Sequence, residues 1–276
     1  MWSGFCPPDL WASTVSAKTT HRRALVTGAS SGIGAATVRL LVHSGWSVLA
    51  VARREDRLEE LRTETGCDIM VTDVTQDEDV EALREYVDTT GGISALVNNA
   101  GGAVGLDWID QAEAEDWARM FDVNVLGVQR VTKALLPALR RASAELGVAD
   151  IVTISSTAAF LSYEGGAGYT AAKAAVHSML VGLRLELSGE PLRVVEIAPG
   201  MVKTEEFTLN RLGGDSARAE ALYDGVENPL VAEDVADVVR YALESPAHVN
   251  LDLIQMKPVA QAMQHKLHRG PLKPKL

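Results

Sequence analysis

The chain has 276 residues, 47% hydrophobic and 23% charged, enough for one large domain with an ample core. Its net charge of −11, from 26 basic and 37 acidic residues, excludes the basic footprint that nucleic-acid binding needs. No apolar run approaches the ~20 residues of a membrane span, residues 1–20 lack a signal-peptide pattern, and Cys6 and Cys67 offer neither a disulfide framework nor metal-ligand spacing.

A cytoplasmic protein without a metal is therefore expected. Residues 1–20 carry Pro7-Pro8 and no periodicity, and read as a loose leader. From Arg23 onward, short β-rich runs alternate with helical patterns. Ala24–Gly28, Ser47–Ala52, Asp68–Val71, Ala95–Asn98, Asp150–Ser155, Arg193–Ala198 and Leu251–Met256 read as buried strands. Ile33–Ser44, Arg57–Thr65, Glu78–Thr89, Glu113–Arg141, Tyr169–Ser188 and Glu233–Glu244 read as helices. Such alternation predicts a single α/β domain over residues 21–262, a doubly wound sheet of about seven parallel strands with helices on both faces. Residues 201–228 break the rhythm and suggest a lid. Residues 263–276 are basic, contain proline and read as a disordered tail.

The first strand runs into Thr27-Gly28-Ala29-Ser30-Ser31-Gly32-Ile33-Gly34, which opens the first helix. Glycines at that junction bring backbone N–H groups and a helix N-terminus against a pyrophosphate. An NAD-binding fold would end its second strand in a carboxylate for the ribose hydroxyls. Here Val51-Ala52 is followed by Arg53 and Arg54, and arginine forks onto phosphate, which fits the 2′-phosphate of NADP(H).

Tyr169 and Lys173 stand one helical turn apart and share a helix face. A free phenol titrates near ~10 and is a poor acid or base at neutral pH. A nearby ammonium lowers that value, and about 3 units of lowering takes roughly 4 kcal/mol of differential interaction. A phenol so tuned becomes a usable general acid/base.

Taken together, Thr27–Gly34, Asp73-Val74, Asn98-Asn99-Ala100-Gly101, Asn124, Ser155-Ser156, Tyr169/Lys173 and Pro199-Gly200 resemble, in order, the motifs of the short-chain dehydrogenase/reductase family. The resemblance covers about residues 22–261. It implies a catalytic group of Asn124, Ser156, Tyr169 and Lys173. Ser156 lies thirteen positions before Tyr169, the family's spacing; Ser155 does not. The resemblance also implies a cofactor site. Gly28, Ser30, Ser31, Gly32, Ile33 and Gly34 would hold the phosphates, Asp73 and Val74 the adenine, and Asn99, Ala100 and Gly101 the ribose region. Tyr169 and Lys173 would also touch the cofactor, with Pro199, Gly200, Val202 and Thr204 at the nicotinamide. It implies a homotetramer or homodimer too, paired through the helices holding Asn124–Arg141 and Tyr169–Ser188.

The segment from Leu192 to Gln261 resembles the branch that oxidises 3-hydroxy acids, including serine and allo-threonine. Arg211 is then a candidate partner for a substrate carboxylate, while Glu164 reads as a solvated loop charge. An alternative is a carbonyl reductase for apolar ketones or aldehydes, with Phe160, Leu161, Tyr163, Phe207 and Leu212 around the substrate. A non-catalytic cofactor sensor is the remaining alternative, and all four catalytic positions are retained against it.

Overall fold

The protein, described here by a computed structural model over residues 22–274, builds its fold from runs of apolar residues too long to leave one strand face in water. The expected leader, residues 1–20, lies outside the described residues. The element order is β1 (Arg23–Thr27), α1 (Gly32–His43), β2 (Ser47–Ala52), α2 (Glu55–Thr65), β3 (Asp68–Val71), α3 (Asp77–Thr89) and β4 (Ala95–Asn98). Then come α4 (Ala114–Phe121), α5 (Gly127–Leu146), β5 (Ala149–Ile154), α6 (Ala167–Glu186) and β6 (Leu192–Pro199). The lid follows as β7 (Val202–Lys203), α7 (Phe207–Arg211), α8 (Ser216–Ala221) and β8 (Leu230–Val231), and the chain closes with α9 (Ala232–Glu244) and β9 (Leu253–Met256).

The main sheet has seven strands in the order β3-β2-β1-β4-β5-β6-β9, and every neighbouring pair is parallel. Alternate residues supply two separate cores. Ala24 and Val26 face the layer closed by α1, α2 and α9, and Leu25 faces the layer closed by α3, α5 and α6. Burying both faces is why these strands read as continuous apolar runs. The order reverses between β1 and β4, and a crevice outside the C-terminal ends of the strands is expected at that reversal.

Three expectations change. Helix Glu113–Arg141 is two helices, α4 and α5, joined by a π turn at Asp122–Leu126. The Asn124 side chain donates to Met120 O at 2.8 Å, the carbonyl a regular helix would reserve for its own backbone N–H. The strand expected at Leu251 starts at Leu253. The tail, expected to be disordered, is laid against the lid over residues 263–274. His268 N donates to Ala260 O at 2.8 Å, Arg269 to the carbonyls of Leu222 and Asp224, and Gly270 N to Gly225 O at 2.6 Å. Its backbone finds partners there that composition does not announce.

Candidate active site

The crevice at the sheet's C-terminal edge is a cavity of about 990 Å³. Among the residues expected there, only Gly34 and Asn124 are absent from its wall. Gly34 stands behind it because the loop closes on itself: a Cβ there would lie 2.3 Å from Gly28 O. Gly28 has φ +65°, and a side chain on it would collide with Ala100 Cα at 2.8 Å. The loop is pinned from β4, where Asn99 Nδ2 donates to Thr27 O at 2.9 Å and Gly28 O at 3.2 Å. Glycine at both positions thus lets the loop close against β4 and present its backbone to the cavity.

Beyond β2, Arg53 is exposed and Arg54 half-buried, and both line the cavity. Arg54 donates from Nε and Nη2 to Ser30 Oγ at 3.2 and 2.9 Å, and from Nη1 to Glu206 Oε1 of the lid at 2.7 Å. The guanidinium holds Glu206 below the ordinary carboxylate range. No carboxylate ends β2. Across the cavity, Asp73 Oδ1 accepts from Thr75 N at 3.0 Å and Thr75 Oγ1 at 2.8 Å, which fixes the turn carrying Val74. Thr204 Oγ1 is buried without a hydrogen-bond partner among the described residues, opposite Gly32. A dinucleotide fits this donor set. Bare backbone would take the pyrophosphate, two arginines a ribose phosphate, and an unmatched hydroxyl the nicotinamide end.

Ser156, at the end of β5, is extended at φ −167°, caps a short 3₁₀ turn by accepting from Ala158 N at 3.1 Å, and donates to Pro199 O at 3.5 Å. Both serines border the cavity, but the Ser155 hydroxyl is buried and has no hydrogen-bond partner among the described residues, whereas Ser156 is half-buried. Tyr169 and Lys173 share the buried face of α6, at 7% and 6% exposure. Lys173 Nζ donates to Ile154 O at 3.2 Å and lies 5.8 Å from the Tyr169 ring centre. Asn124, held by Met120 O and by Gly102 O at 2.8 Å, stands behind Gly101. A Cβ on Gly101 would press on Asn124 Oδ1 at 2.7 Å and approach Lys173 Nζ at 3.6 Å, so the four expected residues converge on one strand end.

The electrostatics differ from expectation. Burial pushes the Tyr169 phenol up to about 12, and the groups that oppose this are the Ser156 hydroxyl and the Arg211 guanidinium, with Lys173 absent among them. Burial also pulls Lys173 itself down to about 8. An ammonium in the same dry layer as the phenol shares its desolvation, a cost the i,i+4 spacing does not reveal.

Arg211 is the most informative residue of the lid. Nε donates to Gly105 O at 3.0 Å and Nη1 to Tyr163 Oη at 2.7 Å. Its guanidinium carbon lies 5.4 Å from the ring centres of both Tyr163 and Tyr169. Nη2 is buried and has no hydrogen-bond partner among the described residues. Phe207 meets the Tyr169 ring edge-on at 5.8 Å. Of the apolar residues considered for a substrate pocket, Tyr163 and Phe207 line the cavity, and Phe160, Leu161 and Leu212 do not. Glu164 is exposed and outside the wall. Residues that sequence reasoning missed include Gln261, which accepts from Met201 N at 2.8 Å, and Gln264, bonded to Thr157 Oγ1 at 2.8 Å. Both belong to the stretch read as domain end and tail, and nothing in their local pattern marks them.

Three comparisons bear on this geometry. The family model for short chain dehydrogenases matches residues 22–211. A serine 3-dehydrogenase of Agrobacterium fabrum is 39% identical over 241 residues, 86% of this chain and 94% of the relative. Sulfoacetaldehyde reductase 2 of Chromohalobacter salexigens is 40% identical over 243 residues, 86% of this chain and 94% of the relative. The closed form of a serine dehydrogenase complexed with NADP+ superposes with a TM-score of 0.81 at 37% identity, covering 90% of this chain and 99% of that one. A reversal-point crevice, a glycine loop at its mouth and a Ser–Tyr–Lys–Asn group at its end thus occur in a chain that belongs to the short-chain dehydrogenase family.

Proposed function

We propose that the protein is an NADP(H)-dependent oxidoreductase acting on a small hydroxy acid, or on the aldehyde or ketone acid formed from it, serine being a representative substrate. The observation that carries this reading is Arg211. A guanidinium stacked between two tyrosines, with one buried –NH₂ group unmatched beside Tyr169, is a fork awaiting an anion. Serine carries a carboxylate and sulfoacetaldehyde a sulfonate, so the molecules in both relatives' names share a small frame with one anionic group. The NADP+ complex of the serine dehydrogenase, with Arg54 bonded to Ser30 and Arg53 on the same cavity wall, supports the choice of cofactor.

The cofactor supplies hydride chemistry to a carbon held next to it. The chain's own residues do the rest. Tyr169 holds the proton that the substrate oxygen gains on reduction, and Ser156 donates a second hydrogen bond to that oxygen. Lys173, buried behind Tyr169, would hold ribose hydroxyls of the cofactor, while the Ser156 hydroxyl and the Arg211 guanidinium favour negative charge on the phenol as it forms. Asn124 keeps Gly102 and the lysine in register. Arg211 fixes the substrate's acidic end, which aims the reacting carbon; Phe207 keeps water from the far side.

Activity assays with NADP and NAD on L-serine, allo-threonine, 3-hydroxypropionate and 3-hydroxyisobutyrate, and with NADPH on apolar aldehydes and diketones, test this directly. Arg211→Gln is expected to cut kcat/KM for acids about 100-fold or more, the size of a lost charge-assisted pair, and to spare neutral carbonyls. Activity confined to apolar carbonyls would instead favour a general carbonyl reductase. We also propose a cytoplasmic homotetramer or homodimer paired through α5 and α6, whose outer face leaves Val181 and Leu185 in solvent. Light scattering that returns a monomer would remove that part.

A further inference from the structure

The deepest ion pair of the protein, Asp150 with Arg193, closes on itself at 2.6 Å. Glu196 does not. It lies mid-strand in β6, has no exposed surface, and stands between the register partners Thr153 of β5 and Leu253 of β9. Oε2 is 2.7 Å from His177 Nδ1 of α6, and Oε1 has no protein partner among the described residues. Val194, two positions earlier on the same strand face, is apolar and buried. A carboxylate with half of its acceptors unmatched costs far more there than another valine would. Filling the layer does not explain it.

Its neighbours do. His177 and Lys173 are one turn apart on α6 and share a face. Lys173 Nζ reaches the backbone of Ile154, the residue after Thr153, and makes no salt bridge within 4.0 Å among the described residues. Other charges nearby are engaged elsewhere: Arg184 donates to Val194 O at 2.9 Å, and Asp150 and Arg193 lie on the opposite face of the sheet. Lys173 and His177 are therefore the charged or titratable groups that α6 turns toward Glu196, while β5 and β9 turn Thr153 and Leu253.

We propose that Glu196 is a positioning residue for the catalytic lysine: a buried counter-charge, anchored by His177, that keeps Lys173 an ammonium inside the layer between β6 and α6. This rests on the reading of Lys173 as part of the catalytic group. Glu196 is the one acidic group that opposes the effect of burial on Lys173. An ammonium offers three donors to ribose hydroxyls and to a backbone carbonyl, and a neutral amine offers fewer and no charge. His177, its side chain one-third exposed, is the adjustable end, because a fixed cation there would draw the carboxylate away from the lysine.

The test is the titration of Lys173 in the full chain labelled at lysine Cε, followed by NMR without substrate, its signal assigned by loss in Lys173→Arg. Glu196→Gln is expected to lower the midpoint by about one pH unit, and to shift the alkaline limb of NADPH-dependent turnover down with it. Glu196→Asp should restore most of the shift, and His177→Arg should lower the midpoint by less. An unmoved midpoint in Glu196→Gln overturns the proposal even if turnover falls, since the pair would then act only in packing. Should Glu196→Gln fail to fold, the midpoint in His177→Arg decides in the same sense. Because the titration needs no turnover, a protein inactive with every substrate would overturn the functional reading and leave this test intact.

Discussion

The two walls of the cavity are built in opposite ways. The wall carrying Ser156, Tyr169 and Lys173 is rooted in β5 and a 20-residue helix, with Tyr169 and Lys173 almost wholly buried. The wall formed by residues 201–231 consists of two-residue strands and helices of five and six residues. Side-chain bonds tie it down: Arg54 to Glu206, Arg211 to Tyr163, and Tyr223, which donates to Val202 O at 3.0 Å and pairs with Thr208 at 2.7 Å. Short elements with few backbone ladders open at low free energy, whereas core strands open only with the whole domain. The residues we propose for the chemistry thus sit on the wall rooted in the core, and Arg211, which we propose holds the substrate's acid group, on the wall of short elements.

The contrast breaks most sharply at Tyr169. Tyr169→Phe should lower kcat about 10²–10⁴-fold, the usual share of a general acid/base, while NADPH binding followed by fluorescence stays near wild type. Undiminished turnover would remove the phenol from the mechanism. At the junction of the two walls, Arg54→Ala should reduce the preference for NADP over NAD about 10- to 100-fold in kcat/KM, the size of one or two charge-assisted bonds. An unchanged ratio would leave Arg53 as the selecting cation.

On the mobile wall, effects should be smaller and local. Arg269→Ala removes the bonds from the tail to Leu222 and Asp224, and should speed hydrogen exchange over residues 216–228 about fivefold, the factor for about 1 kcal/mol, with little change in Tm. Uniform acceleration across β5 as well would deny the walls their separate stabilities. The smallest effect is that of pH on the Arg54–Glu206 tie. The folded value of Glu206 lies below its ordinary 4.5, so its contribution is complete above that value and fades as pH falls through the lowered one. Exchange in residues 204–212 should rise below about pH 4.5 in the wild type and lose that dependence in Glu206→Gln.

Legibility in the sequence followed the same division. The seven strands could be read because burial on both faces leaves uninterrupted apolar runs, and the phosphate loop because φ +65° at Gly28 and contact at Gly34 demand glycine. The π turn at Asn124 was hidden inside one long helical pattern, since a side chain taking Met120 O leaves the apolar period intact. Gln261 and Gln264 were hidden because a tail acquires its conformation from the surface it crosses.

The amino-acid order alone set the parallel α/β alternation, the glycine loop after the first strand and the family, because each is a local matter of apolar period, turn or motif spacing, while the strand order and the crevice came from the tertiary structure. Tertiary structure decided the electrostatics. Only the packed layer reveals that Lys173 is desolvated along with Tyr169, that Arg211 joins the lysine over the Tyr169 ring, and that a fully buried glutamate on β6 is bonded to His177 of the same helix. Charge acts through space and through the water it loses, and neither is written in the distance between residues along a chain.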